Sequence, residues 1–368
     1  MESHPLVFTF FLIFSGAALL ATVALYARQA LLVAYILLGI ALGPWGLGLV
    51  TDPRWINGIS EIGIIFLLFL LGLNLPFRKL FDLVGESLRV TGISSTVFGL
   101  LGMGVGWLFG FTLVEQLVIG AALMFSSTII GLKLLPTTIL HHQHTGEIII
   151  SVLLLQDLFA ILVLLALQVS GGAGEGLVQM ALLAASLPLL FMVAYLLEKY
   201  VLIRLIQRFD TIQEYIFLMA IGWCLGMAEL AGAFGLSLEI GAFIAGVALA
   251  TNPISLYIAE SLKPLRDFFL VLFFFSLGAG FDLTALRTVL LPAVVLAAAA
   301  LLLKPPLFAL LLRRSGEAPA RSMEIGVRLG QTSEFSLLIA VLALQLGVIG
   351  REASYLIQAS AIMTFIAS

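Results

Sequence analysis

Charged side chains are scarce in this sequence, and their scarcity excludes a water-soluble protein. Only 11% of the 368 residues are charged, whereas 61% are apolar. A soluble domain carries about 25% charged residues, so this chain cannot cover a surface that faces water. It is predicted to be an integral membrane protein. The small net charge of −3 argues against a nucleic-acid partner, which would need a basic surface.

Cysteine is nearly absent as well, and other signatures are missing altogether. The single cysteine, Cys224, can form no disulfide within the chain, so nothing depends on an oxidising compartment. The N-terminus lacks the basic stretch of a cleaved signal, and its first apolar run is interpreted as a mature helix. No Gly-rich phosphate loop, nucleophile elbow or zinc-binding helix motif occurs. We therefore expect no enzyme activity and no cofactor in this chain.

Long apolar runs take up most of the sequence. A spanning helix needs about 20 mostly apolar residues, and the runs between polar, proline and glycine breaks predict thirteen spans. Their approximate bounds are 5–26, 30–49, 58–75, 88–111, 115–135, 147–169, 176–197, 214–232, 236–252, 266–281, 288–312, 322–346 and 352–368. The loops are short, so residues 1–368 are predicted to form a single all-α transmembrane domain.

The placement of lysine and arginine predicts the orientation, because these residues concentrate in cytoplasmic loops. If the N-terminus lies outside, the outer loops hold only Arg54, Arg287 and Arg351. The cytoplasmic loops then hold Arg28, Arg78, Lys79, Lys199, Arg204, Arg208, Lys263, Arg266, Arg313, Arg314 and Arg321. We expect a multi-pass protein of the cell inner membrane, with its N-terminus outside and its C-terminus in the cytoplasm.

Four charged residues lie inside predicted spans, where a charge costs roughly 2.5–3.5 kcal/mol. They are Asp157, Lys304, Glu334 and Glu239. Such residues usually face a cavity or each other. Asp157 and Lys304 have opposite charges and could pair, either as a static bridge or in a working site; Lys304 could instead snorkel toward the cytoplasmic interface. Glu239 is interpreted as structural or gating, with a place on a cation path as the alternative.

Two spans carry polar interruptions at mid-depth, where side chains compete for backbone hydrogen bonds. The interruptions are Ser126, Ser127 and Thr128 in the fifth span and Gln331, Thr332, Ser333 and Glu334 in the twelfth. Membrane proteins built from inverted repeats place discontinuous helices at matching positions in the two halves, with a binding site between them. The fourth to sixth and eleventh to thirteenth spans match in this way. Broken helices that meet beside Asp157 are therefore predicted.

Five motifs carry a resemblance to a known family. They are "FLLGLNLP" at 69–76, "SSTIIGLKLL" at 126–135, "SVLLLQDLFAIL" at 151–162, "FGLSLEIGAFIAG" at 234–246 and "GQTSEFSLLIA" at 330–340. The chain resembles monovalent cation:proton antiporter family 2, and within it the Kef-type potassium efflux systems. The resemblance implies a homodimer with an elevator-like movement and two crossed discontinuous helices. It implies a core of about 88–169 and 288–368, a scaffold of about 5–75 and 214–281, and a linker helix at 176–197.

The resemblance also implies roles for particular residues. Asp157 takes the position of the aspartate that binds K⁺ or Na⁺ and the proton, and Gln156 stands where electrogenic antiporters have a second aspartate. Lys304 lies in the helix whose lysine faces that aspartate, and Glu334 matches the glutamate of the second crossing helix. Because a cation and a proton would compete for one carboxylate, the implied activity is electroneutral exchange of K⁺ for H⁺. A gated potassium efflux channel and a Na⁺/H⁺ antiporter are the alternatives.

Some positions depart from the family pattern. The segment "YIAESLKPL" at 257–265 lacks the histidine found before the tenth helix of glutathione-gated members, so glutathione control is in doubt. Lys133 stands where a neutral residue is common, and no role is assigned to it. His141 and His144 are interpreted as part of a solvated turn, with a metal site or a pH-responsive turn as alternatives. A cytoplasmic C-terminal regulatory domain, which could hold a nucleotide, is expected to be missing from this chain.

Overall fold

The structure is a computed structural model that describes residues 5–27, 29–50, 54–74, 86–127, 144–171, 176–209 and 212–367. Within these ranges the regular structure is helical. The helices are α1 (Pro5–Tyr26), α2 (Leu31–Leu42), α3 (Arg54–Leu73), α4 (Glu86–Leu108), α5 (Leu113–Met124), α6 (His144–Gly171), α7 (Gly176–Leu197), α8 (Ile203–Arg208), α9 (Gln213–Ala233), α10 (Leu238–Ala250), α11 (Ile254–Ala279), α12 (Leu283–Arg314), α13 (Pro319–Arg328), α14 (Glu334–Gln345) and α15 (Arg351–Ile366). A π-turn, Glu198–Leu202, joins α7 to α8.

Four of the described helices are each long and apolar enough to cross a membrane, at Leu6–Tyr26, Ser87–Leu108, Gln213–Ala233 and Leu286–Arg314. Shorter apolar helices, among them α5 and α14, make up broken spans. The predicted helical membrane fold is confirmed. The count of thirteen spans stays a prediction, because residues 128–143 lie outside the described part.

Several predicted boundaries are wrong. The span predicted at 266–281 begins much earlier, since α11 starts at Ile254. Its polar stretch is helical and exposed, and within it Lys263 pairs with Glu260 and Arg266 pairs with Asp267. The span predicted to end at residue 197 continues through the π-turn to Arg208. Charge alone therefore does not mark a helix end in this chain.

The chain divides into two compact units. One comprises Met1–Tyr26, Ala34–Phe77 and Gly172–Phe281. Within it, glycines allow helix backbones to touch: a Cβ on Gly39 of α2 would clash with the carbonyl of Phe275 in α11, and one on Gly72 of α3 would lie 2.5 Å from the carbonyl of Phe243 in α10. Small residues at such crossings permit the close packing that holds helices together in lipid.

The other unit comprises Ala27–Val33, Arg78–Gly171 and Asp282–Ser368. Its helix α4 packs closely on α5: a Cβ added to Gly102 would lie only 2.7 Å from the Cα of Gly120. Gly110 does not belong to that packing face; it has φ +78° and forms the turn after α4. The assignment of the two units to a moving core and a dimerising scaffold stays a prediction.

Candidate functional site

The first helix break follows α5. A capping box formed by Thr112 and Glu115 starts this helix, and the chain becomes extended at Phe125, with φ −93° and ψ 147°. A break inside a membrane must find partners for its backbone groups within the protein. The amide of Gln156 on α6 supplies two of them: its Nε2 donates to the carbonyl of Met124 at 3.1 Å, and its Oε1 accepts from the N–H of Ser126 at 3.0 Å.

The second break lies between α13 and α14, at residues 329–333. Here a hydroxyl supplies the partner for the backbone, as the amide of Gln156 does at the first break. Thr364 Oγ1 on α15 accepts from the N–H of Thr332 at 3.3 Å and lies 2.6 Å from Thr332 Oγ1. Ser333 begins α14 as an N-cap, and its Oγ accepts from the N–H of Phe335 at 3.1 Å. In each case, a side chain from the helix after the broken span bonds to the break: Gln156 of α6 at the first break and Thr364 of α15 at the second.

The two breaks contact each other through hydroxyl groups. Ser126 Oγ donates to the carbonyl of Leu329 at 2.8 Å, and Ser127 Oγ donates to Glu334 Oε2 at 2.9 Å. One turn along α14, Ser336 Oγ donates to a carbonyl of α5, that of Ala122, at 2.6 Å. The interrupted segments that the sequence singled out lie side by side in the structure. Thr128 lies outside the described residues.

Lys304 joins the carboxyl-terminal ends of both broken helices. Its side chain is 0% exposed, and Nζ donates to the carbonyl of Phe125 at 2.7 Å and to that of Gln331 at 3.3 Å. Helix C-termini carry partial negative charge, so the ammonium balances the ends of α5 and α13. The ring of Phe98, which no sequence signal marked, lies 5.3 Å from Nζ at a distance typical of a cation–π contact.

Two expectations for Lys304 are therefore wrong. Within the described residues it forms no ion pair with Asp157, and its complete burial contradicts snorkelling to the interface. The physical reason is that the two breaks leave carbonyl oxygens in the interior of the protein, and one ammonium donates to two of them. A pairing argument based only on opposite charge overlooks these backbone acceptors.

Glu334 is the counterpart of Lys304 at the opposite polarity. It occupies the first turn of α14, where the partial positive charge of a helix N-terminus stabilises a carboxylate. The side chain is buried and accepts the hydrogen bond from Ser127. We call the region where the breaks at 125–127 and 329–333 meet the crossing. Its two central charges, Lys304 and Glu334, are thus each matched to a helix end.

Asp157 is different, because its carboxylate has no partner among the residues that the structure describes. It is 7% exposed, one residue beyond the Gln156 amide that closes the first break, and it makes no hydrogen bond or ion pair with any described residue. The charge of Glu334 acts on it from nearby and is repulsive. A buried carboxylate that the protein does not neutralise is open to a cation or a proton.

The remaining predicted residues lie in the other unit, lie outside the described residues, or take part through the backbone. Glu239 lies in the first turn of α10, behind the N-cap Ser237, and belongs to the other unit. Lys133 and His141 lie outside the described residues, and the side chain of His144 is not described either. The side-chain amide of Gln331 contributes no hydrogen bond among the described residues, although its backbone carbonyl accepts from Lys304.

Comparison with known proteins places the chain in a family. The sequence profile described as "Sodium/hydrogen exchanger, transmembrane" matches residues 11–368. The chain belongs to the sodium/hydrogen exchanger family. The expected likeness to Kef-type systems is also confirmed, since the chain is 30% identical over 345 residues to the glutathione-regulated potassium-efflux system protein KefC of Klebsiella pneumoniae strain 342. That match covers 92% of this chain and 55% of the relative, so the chain spans about half the length of KefC.

A solved structure supports the fold of this chain. The sodium proton antiporter MjNhaP1 from Methanocaldococcus jannaschii at pH 8 aligns with 99% of this chain and 94% of its own, with a TM-score of 0.68 and 16% sequence identity. At that identity the likeness concerns the fold. The sodium/hydrogen exchanger family and the fold of a membrane antiporter are therefore both established for this chain, and the relatives are transporters.

Proposed function

We propose that this chain exchanges a monovalent cation for a proton across the membrane, with Asp157 as the carrier of both. The observation that carries the proposal is the division of charge at the crossing. Lys304 is committed to the carbonyls of Phe125 and Gln331, and Glu334 is held by Ser127 at a helix N-terminus. Asp157 alone of these three has no partner among the described residues, so a proton and a cation can alternate on its carboxylate.

K⁺ is the proposed cation, and the exchange is proposed to be electroneutral. The likeness to KefC, which is named for potassium efflux, favours K⁺. Gln156 provides no second carboxylate beside Asp157, so one positive charge of either kind neutralises the site. A single carboxylate with neutral oxygens around it is a weak-field site, which suits a large cation that sheds its water readily. Sodium is the alternative ion, and a gated potassium efflux channel is the alternative mode.

The wider setting of this activity follows the family. We place the exchanger in the cell inner membrane as a homodimer, with the N-terminus outside and the C-terminus in the cytoplasm, and with elevator-type alternating access. A nucleotide or another regulator is assigned to a cytoplasmic region beyond the described chain, as the greater length of KefC suggests. The oxygen atoms of Ser126, Ser127, Thr128, Gln331, Thr332 and Ser333 are proposed to shape the surroundings of the ion.

Flux measurements in proteoliposomes test the proposal. A pH-sensitive dye inside the vesicles reports proton movement when K⁺, Na⁺ or Rb⁺ is added outside, with the membrane voltage either free or clamped by an ionophore. We expect cation-driven proton flux that is largest with K⁺ and insensitive to voltage. Asp157→Asn should abolish the flux, whereas Glu260→Gln, which alters an exposed acid paired with Lys263, should leave it intact. Flux retained in Asp157→Asn vesicles would refute the carrier role, and cation flux without proton flux would favour the channel.

A further inference from the structure

Aromatic and basic side chains gather on the exposed surface where α7 passes into the π-turn. Lys199 Nζ donates to Tyr195 Oη at 3.4 Å, lies 5.4 Å from the centre of the Tyr195 ring and lies 5.6 Å from that of Tyr200. Arg204 approaches the same Tyr200 ring, at 5.5 Å from Cζ. Both cations therefore lie close to the ring of Tyr200. We call Tyr195, Lys199, Tyr200 and Arg204 the aromatic–basic patch.

The π-turn is what brings the two cations to the same side. Its N–H groups bond five residues back, and that of Ile203 donates to the carbonyl of Glu198. In an α-helix, residues five apart, such as Lys199 and Arg204, point well away from each other, because one turn takes 3.6 residues. A wider turn reduces that angle and places both beside Tyr200. Such single π-turns often occur at functional sites.

The two basic residues of the patch form no ion pair with a residue that the structure describes. Among the described residues neither Lys199 nor Arg204 has a carboxylate within ion-pair distance, and the adjacent acid, Glu198, is buried at 7% exposure. Lys263 and Arg266 differ from them, since Lys263 pairs with Glu260 and Arg266 pairs with Asp267. The patch therefore presents two exposed cations, without ion-pair partners in the described part of the chain, to an external anion.

The surface next to the patch is apolar. Along α7 the large side chains of Phe191, Met192 and Leu196 are exposed, and together they extend the patch up the helix. A partner with an anionic head and an apolar tail would cover both surfaces. Basic residues at a membrane surface attract anionic lipids, and exposed tyrosines favour the headgroup level.

From this continuity we propose that the aromatic–basic patch binds the headgroup of an anionic phospholipid, with the acyl chains along α7. The site is distinct from the carboxylate of Asp157 and its role does not depend on the proposed exchange. A phosphate between Lys199 and Arg204 would accept charge-assisted hydrogen bonds from both.

The full chain in neutral detergent, titrated with phosphatidylglycerol or phosphatidylcholine, tests this site through the shift in melting temperature. We expect phosphatidylglycerol to stabilise the protein at lower concentration than phosphatidylcholine. A lysine or arginine near an anionic membrane contributes roughly fivefold to affinity, so Lys199→Gln with Arg204→Gln should weaken the phosphatidylglycerol response about 25-fold. The matched double variant Lys263→Gln with Arg266→Gln removes the same charge from paired positions and should respond like the wild type.

Further variants keep the test decisive. Lys199→Arg with Arg204→Lys preserves charge and should bind phosphatidylglycerol, and Tyr200→Leu, which removes the shared ring but neither cation, should bind it several-fold more weakly. An unchanged phosphatidylglycerol response in the Lys199→Gln, Arg204→Gln variant would overturn the proposal. An equal loss in the Lys263→Gln, Arg266→Gln control would overturn it too. If sn-glycerol 3-phosphate stabilises the protein as well as the lipid does, the patch is a site for soluble anions and the lipid assignment fails.

Discussion

Replacing Lys304 with methionine should make the protein easier to unfold while leaving a measurable part of the proposed proton exchange. Methionine keeps a long, flexible and apolar side chain that can fill the same space, but it removes the ammonium. The carbonyls of Phe125 and Gln331, bonded at 2.7 and 3.3 Å, then lose their donor at the centre of the crossing. The perturbation therefore acts on the two helix breaks and leaves the Asp157 carboxylate in place.

The size of the effect follows from what is lost and what is recovered. A buried acceptor left without a donor costs about 1–3 kcal/mol, and each helix C-terminus loses about 0.3–1 kcal/mol of charge compensation. Against this, a fully buried ammonium is itself unfavourable by several kcal/mol, and that cost disappears with the charge. The partners of Lys304 are neutral carbonyls, so its removal leaves no opposite charge unpaired. The net loss in the free energy of unfolding should therefore be about 2–3 kcal/mol.

The assay compares melting temperature with proton flux in three variants. Asp157→Asn should melt at or above the wild-type temperature, because it loses no hydrogen bond among the described residues and removes the repulsion from Glu334, yet it should carry no exchange. Lys304→Met should melt lower and keep part of the exchange. Arg313→Met, in the exposed last turn of the same helix, serves as the control. If Lys304→Met melts like the wild type but has no flux, the lysine acts on the transported ion and our reasoning is wrong.

Three further predictions concern residues around the crossing. Gln156→Asp removes the donor to Met124 and adds a charge, so it should melt lower and make exchange voltage-dependent in clamped proteoliposomes; an unchanged voltage response would place Gln156 away from the ion. Thr91→Val should raise the free energy of unfolding by about 1 kcal/mol, because the buried Thr91 hydroxyl has no partner among the described residues, and a lower melting temperature would show that it holds a water. Glu115→Ala should lower the free energy of unfolding by about 1 kcal/mol and leave flux intact, because Glu115 caps α5 and accepts from the N–H of Gly350 at 3.1 Å. Lost flux would contradict a purely structural role.

The sequence was sufficient to predict the features that depend on the cost of polarity in lipid. Apolar runs predict where helices lie, and the triplet beginning at Ser126 and the stretch beginning at Gln331 predict where two of them break. Asp157 stands out because a carboxylate in such a run has no local explanation. These signals are local in the chain, so no knowledge of packing is needed to find them.

The partners of the polar groups were not predictable in the same way. Opposite charge suggested that Lys304 pairs with Asp157, but the acceptors are backbone carbonyls, which every residue has and no sequence pattern marks. Gln156 was expected beside the ion, and the structure shows its amide bonded at both ends to the break; its contribution to the ion site stays a prediction. Phe98 looked like any apolar residue of its span until the structure placed its ring at 5.3 Å from Lys304 Nζ.

The two halves of the chain repeat the same packing devices. Gly246 follows Gly39 by 207 positions, and Gly278 follows Gly72 by 206. In the structure α2 packs on α11 and α3 packs on α10, with a backbone carbonyl of the partner helix against each of the four glycines. If the two halves are exchanged, Gly39 takes the place of Gly246 and Gly72 that of Gly278, so each contact becomes the other. An inverted repeat, which the order of the broken spans indicated, thus also accounts for packing in the unit that lacks the breaks.

The same repeat explains why the Asp157 carboxylate has no counterpart in the other half of the chain. Thr332 follows Ser126 by 206 positions, and each presents a backbone N–H that is satisfied by the next helix, through Gln156 Oε1 in one half and Thr364 Oγ1 in the other. Thr364 follows Asp157 by 207 positions. In the second half, the position equivalent to the carboxylate is therefore a hydroxyl already bonded to Thr332, which cannot carry a proton or a cation charge. The symmetry of the backbone provides two equivalent sites, and the side chains leave only one that ionises. One ionising group at this pair of equivalent positions is what the proposed exchange of one cation for one proton requires.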